Sequence, residues 1–511
     1  MGERRAPFSP IAVRLRRQAF GLRWTHTWGE LDVTEQLQDV TPLSADGVPP
    51  GPVDIRFRDG LIAAIEPSPR TPSRRLLAMP ALVNAHDHAR PLSPTSFGAA
   101  GKPLETWLLR LAAMPGVDPY LAAVAAFGRA ARGGAGSVMA HYTRLHGPMP
   151  QIEEMREVAR AARDVGLRVT LAVFMRDRNP LVYGPSDAVL GALDPVGRAV
   201  VEAAFPTPLP SPAEQVARVE AVATAVESAT FTVQFGPNGP QWCSDELLRA
   251  IAEASERTGR RVHMHLLETR YQRAFADAAY PEGVVARLES LGLLSPRLAL
   301  AHCVYARPDE LDAIARAGAV IATNPSSNLH LRSGIAPIGE ALRRGCRVAL
   351  GVDASAFDED DDILREMRLG HFLHGGWGFE GVVERAPWLA GIIEHGRFAN
   401  GAPGTGALRV GEPADVLVLD LDRLDRDAIM PVAPIDLLFS RATAAHVVSL
   451  HVEGRAVVDD GRLTGVDLDD AHEKLREQYR EGITTREPFL AAWDRLEPAA
   501  VALYRERFGC C

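Results

Sequence analysis

Residues 79–91 read MPALVNAHDHARP, a short apolar run ending in two histidines one residue apart. Side chains alternate along an extended strand, so His86 and His88 share one face and Asp87 points away. Alone, an H-x-H pair carries little weight, because a strand histidine is more often hydrogen-bonded packing than a ligand. What it means depends on how the other strands of the chain end.

Seven further apolar runs follow: GSVMAHY (136–142), LRVTLAVFM (167–175), FTVQFG (231–236), RVHMHLL (261–267), RLALAHCVY (297–305), AVIATN (319–324) and CRVALGVD (346–353). Between them lie segments such as QIEEMREVARAARDVG, SDELLRAIAEASERTG and RPDELDAIARAG, with apolar residues at three- and four-residue spacing and a glycine at the end. Ser244 and Asp309 or its neighbour read as helix N-caps. Eight such βα units, in a stretch near or above the usual ~250 residues, predict a closed (β/α)8 TIM barrel.

The flanks read differently. Residues 53–67 carry Asp59-Gly60 between two strand-like runs, a hairpin signal, and short strands around glycine turns recur in 406–420 and 447–465. A small β-sandwich built from both chain ends is expected over 1–74 and 402–466, the barrel over 75–401, and a helical extension over 467–511 that packs on the outside.

Composition bounds the function classes. With 56 basic against 65 acidic residues, a net charge of −9, there is no electrostatic footprint for nucleic acid. No apolar run is long enough to span a bilayer, so no membrane partner is expected. The first twenty residues are basic but lack the apolar core and cleavage site of a secretory signal. Cys243, Cys303 and Cys346 read as buried thiols, and the terminal Cys510 and Cys511 as a frayed end rather than a lipidation signal. A reducing cytoplasm fits this usage. A small-molecule substrate is the expected partner; a homo-oligomer is open.

Barrel chemistry sits at the C-terminal ends of the strands. Strand one ends in His86-Asp87-His88, strand two in His141, strand three in Arg176-Asp177-Arg178 and strand four in GPNGPQWCS. Strand five supplies His263 and His265 with Glu268 three residues on, strand six His302, and strand eight Asp353. Each residue has an ordinary explanation, such as a cap for the aspartate. Four histidines, a glutamate and an aspartate at the ends of strands one, five, six and eight point to one metal centre.

These motifs resemble the amidohydrolase superfamily, in particular its single-metal deaminase and chlorohydrolase branch (cytosine deaminase, guanine deaminase, adenosine-type deaminases, triazine hydrolases). ALVNAHDH resembles the family's strand-one motif, HLLE its strand-five H-x-x-E, LAHCVY its strand-six histidine and NPSSNLHLRSG its strand-seven loop. GVDASAFDEDDDILREMRLGHFLH resembles its strand-eight aspartate and following helix, and LRVGEPADVLVLD its terminal β-domain. The resemblance spans about residues 53–465. It implies that His86, His88, His265 and Asp353 hold one divalent ion, zinc ahead of ferrous iron. It implies further that Asp353 takes a proton from an activated water, that Glu268 protonates a ring nitrogen, and that His302 bonds the water or the oxyanion. The implied reaction is hydrolytic deamination of an amino-substituted N-heterocycle. The alternatives are hydrolysis of a cyclic amide, formimino, urea or chlorotriazine-like bond, and a non-catalytic scaffold. The sister branch that bridges two metals through a carbamylated lysine is excluded, because lysine occurs only at positions 102 and 474.

Some positions depart from the family pattern. Asn238 stands where relatives often carry a substrate-contacting histidine. Trp242 is placed to stack on a flat ring or to pack on the next helix, and His141 to line the pocket or to lie in the core. The run Asp358 to Asp362 reads mainly as acids at a helix start, with Asp358 kept as a substrate contact. Arg90, Arg176 and Arg178 sit on opposing loops, suited to a carboxylate or phosphate or to surface ion pairs.

Overall fold

The computed structural model describes residues 36–43, 51–353 and 359–509. Asp358, Cys510, Cys511 and the first twenty residues lie outside these.

Eight parallel strands form the barrel: β1 (Leu82–Asp87), β2 (Ala135–Tyr142), β3 (Arg168–Met175), β4 (Phe231–Pro237), β5 (Val262–Leu266), β6 (Leu298–His302), β7 (Val320–Thr323) and β8 (Arg347–Leu350). Neighbours pair in chain order, and β8 returns to β1 where Val352 N and Asp353 N donate to the His86 carbonyl at 3.1 and 2.9 Å. Outward side chains such as Met264, Leu300, Val348 and Leu350 join the apolar layer under the helices. The interior is lined by small residues, Ala85, Ala299, Ala322 and Ala349, which leave room for polar side chains above them. The end of helix Arg385–Asn400 plugs the floor, with Ala399 and Asn400 carbonyls accepting from Gln234 and Thr170.

The first apolar run is divided. Leu76–Pro80 belongs to a second eight-stranded sheet, and β1 begins only at Leu82. That sheet runs in the order Arg462–Leu463, Arg455–Asp459, Val447–Val452, Val416–Asp420, Leu76–Pro80, Gln36–Pro42, Val53–Arg58, Leu61–Pro67. It folds over on itself: Phe57 and His451, on strands not adjacent in this order, bring their rings to 5.6 Å. Asp59 (φ 52) and Gly60 (φ 77) are both left-handed, the geometry a two-residue hairpin turn requires.

Ser244 caps helix Asp245–Thr258 by accepting from Leu247 N, as its sequence suggests. The other cap falls elsewhere. Helix Pro308–Ala317 starts after Arg307, whose backbone N–H is taken by Glu310, so Asp309 lies inside the first turn. The C-terminal helices Leu468–Gly482 and Glu487–Phe508 do more than cover the outside, because Arg486 and Tyr504 reach the main cavity. Among the described residues, no helix is long and apolar enough to cross a membrane. Cys243, Cys303 and Cys346 are buried free thiols.

Candidate active site

At the C-terminal mouth of the barrel, local backbone distortions aim the functional side chains. In β1 the pairing to β2 slips between Asn84 and Asp87, a bulge that re-aims the strand's last residues. His302 would share the outward face of Leu298 and Leu300 by simple alternation, but its left-handed backbone (φ 74) turns the ring inward. Leu267 (φ 52), Ala89 (φ 49) and Asp353 (φ 59) are left-handed at the ends of β5, β1 and β8. Non-glycine residues held there cost of order 1–3 kcal/mol each and mark sites where the surroundings over-determine the backbone.

Six imidazoles converge: His86, His88, His141, His263, His265 and His302. Their hydrogen bonds separate them by role. His88 Nδ1 bonds the His141 carbonyl at 2.7 Å, and His265 Nδ1 bonds the Asn238 carbonyl at 2.8 Å. Each bond puts the ring proton on Nδ1 and leaves an Nε2 lone pair facing inward. These two Nε2 atoms lie 3.4 Å apart. His86 is fully buried with neither ring nitrogen hydrogen-bonded, and burial pushes its pKa down to about 3, so it is neutral. Asp353 Oδ1 closes the group at 3.2 Å from His86 Nε2 and 2.9 Å from His88 Nε2. Burial alone would raise the Asp353 pKa, but the His86 and His88 rings hold it well below the usual range. Three lone pairs and a carboxylate facing one point repel each other unless a cation lies between them, so this donor set fits one divalent ion of the zinc or ferrous class.

His263 stacks on His86 at 4.9 Å and bonds the Ala85 carbonyl at 3.2 Å; it is a buried packing residue. His141 does not line the cavity: it is fully buried below the donor set, with Nε2 3.2 Å from the Gly236 carbonyl. Its contribution is the carbonyl that orients His88.

Glu268 stands beside this group. Its Oε2 is 3.7 Å from His302 Nε2, and its Oε1 accepts from Ser333 Oγ at 3.4 Å. Burial, then the nearby charges of Asp353 and Glu105, push its pKa well above the usual carboxyl range. His302 Nδ1 bonds Asn328 Oδ1 at 2.9 Å, and burial lowers its pKa, so a neutral ring turns an Nε2 lone pair to the cavity. Ser327 Oγ donates to Asp353 Oδ2 at 2.6 Å. The strand-seven loop NPSSNLHLRSG thus supplies Ser327, Asn328 and Ser333 to three functional side chains. Its signal was a dense polar run directly after a fully apolar strand.

Above the donor set opens a cavity of about 390 Å³. His88, His265, His302, Glu268, Asp353, Asn238, Trp242 and Arg90 line it. Asn238 lines the cavity with its side chain turned toward the buried His141 ring. Trp242 packs edge-on against Tyr183 at 5.5 Å while lining the wall. Arg178 is spent on the Pro240 carbonyl and Tyr280, but Arg176 lines the cavity. The described part of the acidic run, from Glu359 to Asp362, faces elsewhere: Glu359 accepts from Ser93 and Thr95, Asp360 pairs with Arg365, Asp361 pairs with Arg129 at 2.9 Å, and Asp362 caps helix Ile363–His374. Unforeseen cavity residues are Glu105, Trp107, Arg144, Arg486 and Tyr504.

A model of the amidohydrolase family matches residues 77–457. A 5-methylthioadenosine/S-adenosylhomocysteine deaminase of Pyrococcus abyssi is 29% identical over 78% of this chain and 87% of its own length. A 5'-deoxyadenosine deaminase of Methanosarcina barkeri is 31% identical over 49% of this chain; the chain spans about half of that relative, 57%. Among solved structures, an atrazine chlorohydrolase of Arthrobacter aurescens complexed with zinc and atraton superposes with a TM-score of 0.71, at 20% identity, covering 88% of this chain and 99% of that one. A zinc-bound adenosine deaminase of Xanthomonas campestris gives 0.69 at 23% identity, covering 87% and 97%.

Proposed function

Because the chain belongs to the amidohydrolase family, we propose that it replaces the exocyclic amine of an N-heterocycle by oxygen and releases ammonia. One observation carries this reading: a buried Glu268, its pKa pushed well above the usual carboxyl range, stands beside a histidine and aspartate donor set on the floor of one cavity.

His86, His88, His265 and Asp353 would hold one divalent ion, zinc or ferrous iron. When bound, such an ion lowers the pKa of a water from 15.7 toward ~7 and makes it a nucleophile at neutral pH. The chain's own groups do the rest. Glu268 delivers its proton to the ring nitrogen beside the attacked carbon, which makes that carbon electrophilic. Asp353, fixed through Oδ2 by Ser327, accepts the proton that the attacking water gives up. His302 receives a hydrogen bond from that water at Nε2 and is itself anchored by Asn328. Protonation of the amine then lets the C–N bond break, and the net change is water in and ammonia out. The buried free thiols accord with a cytoplasmic setting.

Ammonia release from aminopurines, aminopyrimidines, pterins and aminotriazines tests the reading. The metal-loaded protein is expected to turn over at least one of these classes. Replacing the acid, Glu268→Gln, is expected to lower kcat by about 10²–10⁴-fold. Retained turnover in that variant, or silence of the loaded wild type on the whole panel, would overturn the proposal.

A further inference from the structure

Four arginines line the cavity, Arg90, Arg144, Arg176 and Arg486, and among the described residues none of them forms an ion pair. Elsewhere on this chain arginines are routinely paired, as Arg397 with Asp415 and Arg273 with Glu310 are in the interior. Arg90 is the most confined of the four. It follows His88 by two residues, is 3% exposed, and holds its guanidinium 4.8 Å over the Trp107 ring. Its Nε is buried with no acceptor. Arg144 follows β2 and bonds only the neutral carbonyls of Leu111 and Met114, at 2.7 and 3.2 Å, so its charge is uncompensated. Burial disfavours the Arg90 charge; Asp353 and Asp87 act on it from a distance without pairing with it, and the like charge of Arg144 opposes it. Tyr479, on the C-terminal helix Leu468–Gly482, feels both charges, and its hydroxyl is buried without a partner.

The carboxylates on the same wall are committed to other groups. Glu105 accepts from Thr269 Oγ1 at 2.5 Å and Tyr183 at 3.4 Å, Asp353 faces His86 and His88, and Glu268 faces His302 and Ser333. Buried, unpaired cations beside an unsatisfied hydroxyl are costly, and that cost is offset when a ligand brings the missing negative charge. A planar guanidinium stacked on an indole is also pre-organised for two parallel bonds to an oxyanion.

We propose that Arg90 and Arg144 form an oxyanion subsite of the cavity, so that the heterocycle acted on carries a carboxylate or phosphate beside the ring. The inference rests on reading this cavity as the substrate pocket of a heterocycle aminohydrolase. It gives the substrate a negative sign, opposite to the cationic ring that an acidic wall would select. Trp107 keeps the Arg90 guanidinium in plane.

The test uses binding, so it does not depend on turnover. The zinc-loaded full-length protein is titrated calorimetrically with benzoate, with its neutral isostere benzamide, and with inorganic phosphate. Benzoate is expected to bind at least about tenfold more tightly than benzamide. Arg90→Gln and Arg144→Gln should each remove about tenfold or more of benzoate affinity and leave benzamide within about twofold. Phosphate binding with the same dependence on Arg90 assigns a phosphate-bearing substrate, and benzoate binding alone a carboxylate. Equal benzoate affinity in wild type and both variants would overturn the subsite, as would parallel losses for benzamide. Arginine-dependent benzoate binding in a protein silent on every amine would instead strike the proposed reaction and leave the subsite standing.

Discussion

At Glu268 the sign of the pKa shift sets the direction of the pH profile. The acid must carry its proton to work, and burial together with the charges of Asp353 and Glu105 keeps that proton on above the ordinary carboxyl range. Activity is therefore expected to fall as pH rises through the raised value. Glu105 lies in the same wall, and burial raises its own pKa to about 7. Glu105→Gln removes one of the like charges that disfavour ionised Glu268. The alkaline limb of kcat/KM should then move to lower pH, by about half a unit. A limb that stays in place would show that Glu105 does not act on the acid. The residue types of this constellation were legible in the sequence, because H-x-H, H-x-x-E, a strand-six histidine and a strand-eight aspartate sit at strand ends. Glu105 was not, because nothing in LETWLLR separates a helix-surface glutamate from one buried against Thr269 and Tyr183.

Whole strand ends, rather than single side chains, set the accuracy of the donor group. Gly351 brings the end of β8 against β1: a Cβ built there would lie 2.6 Å from His86 Cβ and collide with Asn324 Oδ1. Neither neighbour can yield. The His86 carbonyl holds Val352 N and Asp353 N, and Asn324 Nδ2 lies 3.2 Å from His302 Nδ1. Gly351→Ala is expected to cost about 2–4 kcal/mol and to loosen metal binding by at least about tenfold, read by urea unfolding and by competition with a chelator. Wild-type metal affinity in that variant would show that the strands adjust. This scale also marks where the sequence was silent. Period-2 alternation finds the strands, but it would place His302 outward, and only a left-handed residue corrects it. It likewise does not show that the run from Leu76 changes sheet after Pro80. Amphipathic spacing revealed the two C-terminal helices. Which surface they cover depends on contacts hundreds of residues away, such as Tyr504 with Tyr183 at 5.2 Å.

Across the whole molecule, one buried carboxylate joins the barrel to the small sheet. Asp415 immediately precedes the sheet strand Val416–Asp420. Its Oδ2 meets Arg397 Nη1 at 2.8 Å, from the helix that plugs the barrel floor, and Arg168 Nε at 3.4 Å, from the first residue of β3. Its Oδ1 accepts from Glu453 N at 2.9 Å. Asp415 and both arginines are buried. Asp415→Asn keeps the shape but leaves Arg397 without a counter-charge in the interior and Arg168 with only Glu453, at 3.3 Å, which should cost about 3–5 kcal/mol. Pairing it with Arg397→Met should recover part of that loss, since one uncompensated charge is then gone. The pH dependence carries the same signature. Burial opposes ionisation of Asp415, but Arg168, Arg397 and the Glu453 N–H outweigh it and depress the folded pKa. A depressed carboxylate stabilises the native state fully above its unfolded value of about 3.9, and that contribution drains away as pH falls through the lower folded value. The difference in unfolding free energy between wild type and Asp415→Asn is therefore expected to be constant from pH 7 to about 5 and to shrink steadily below about 4. Urea unfolding across that range measures it. A difference that persists unchanged in acid would mean that the lost stability came from shape rather than from the charge joining barrel and sheet.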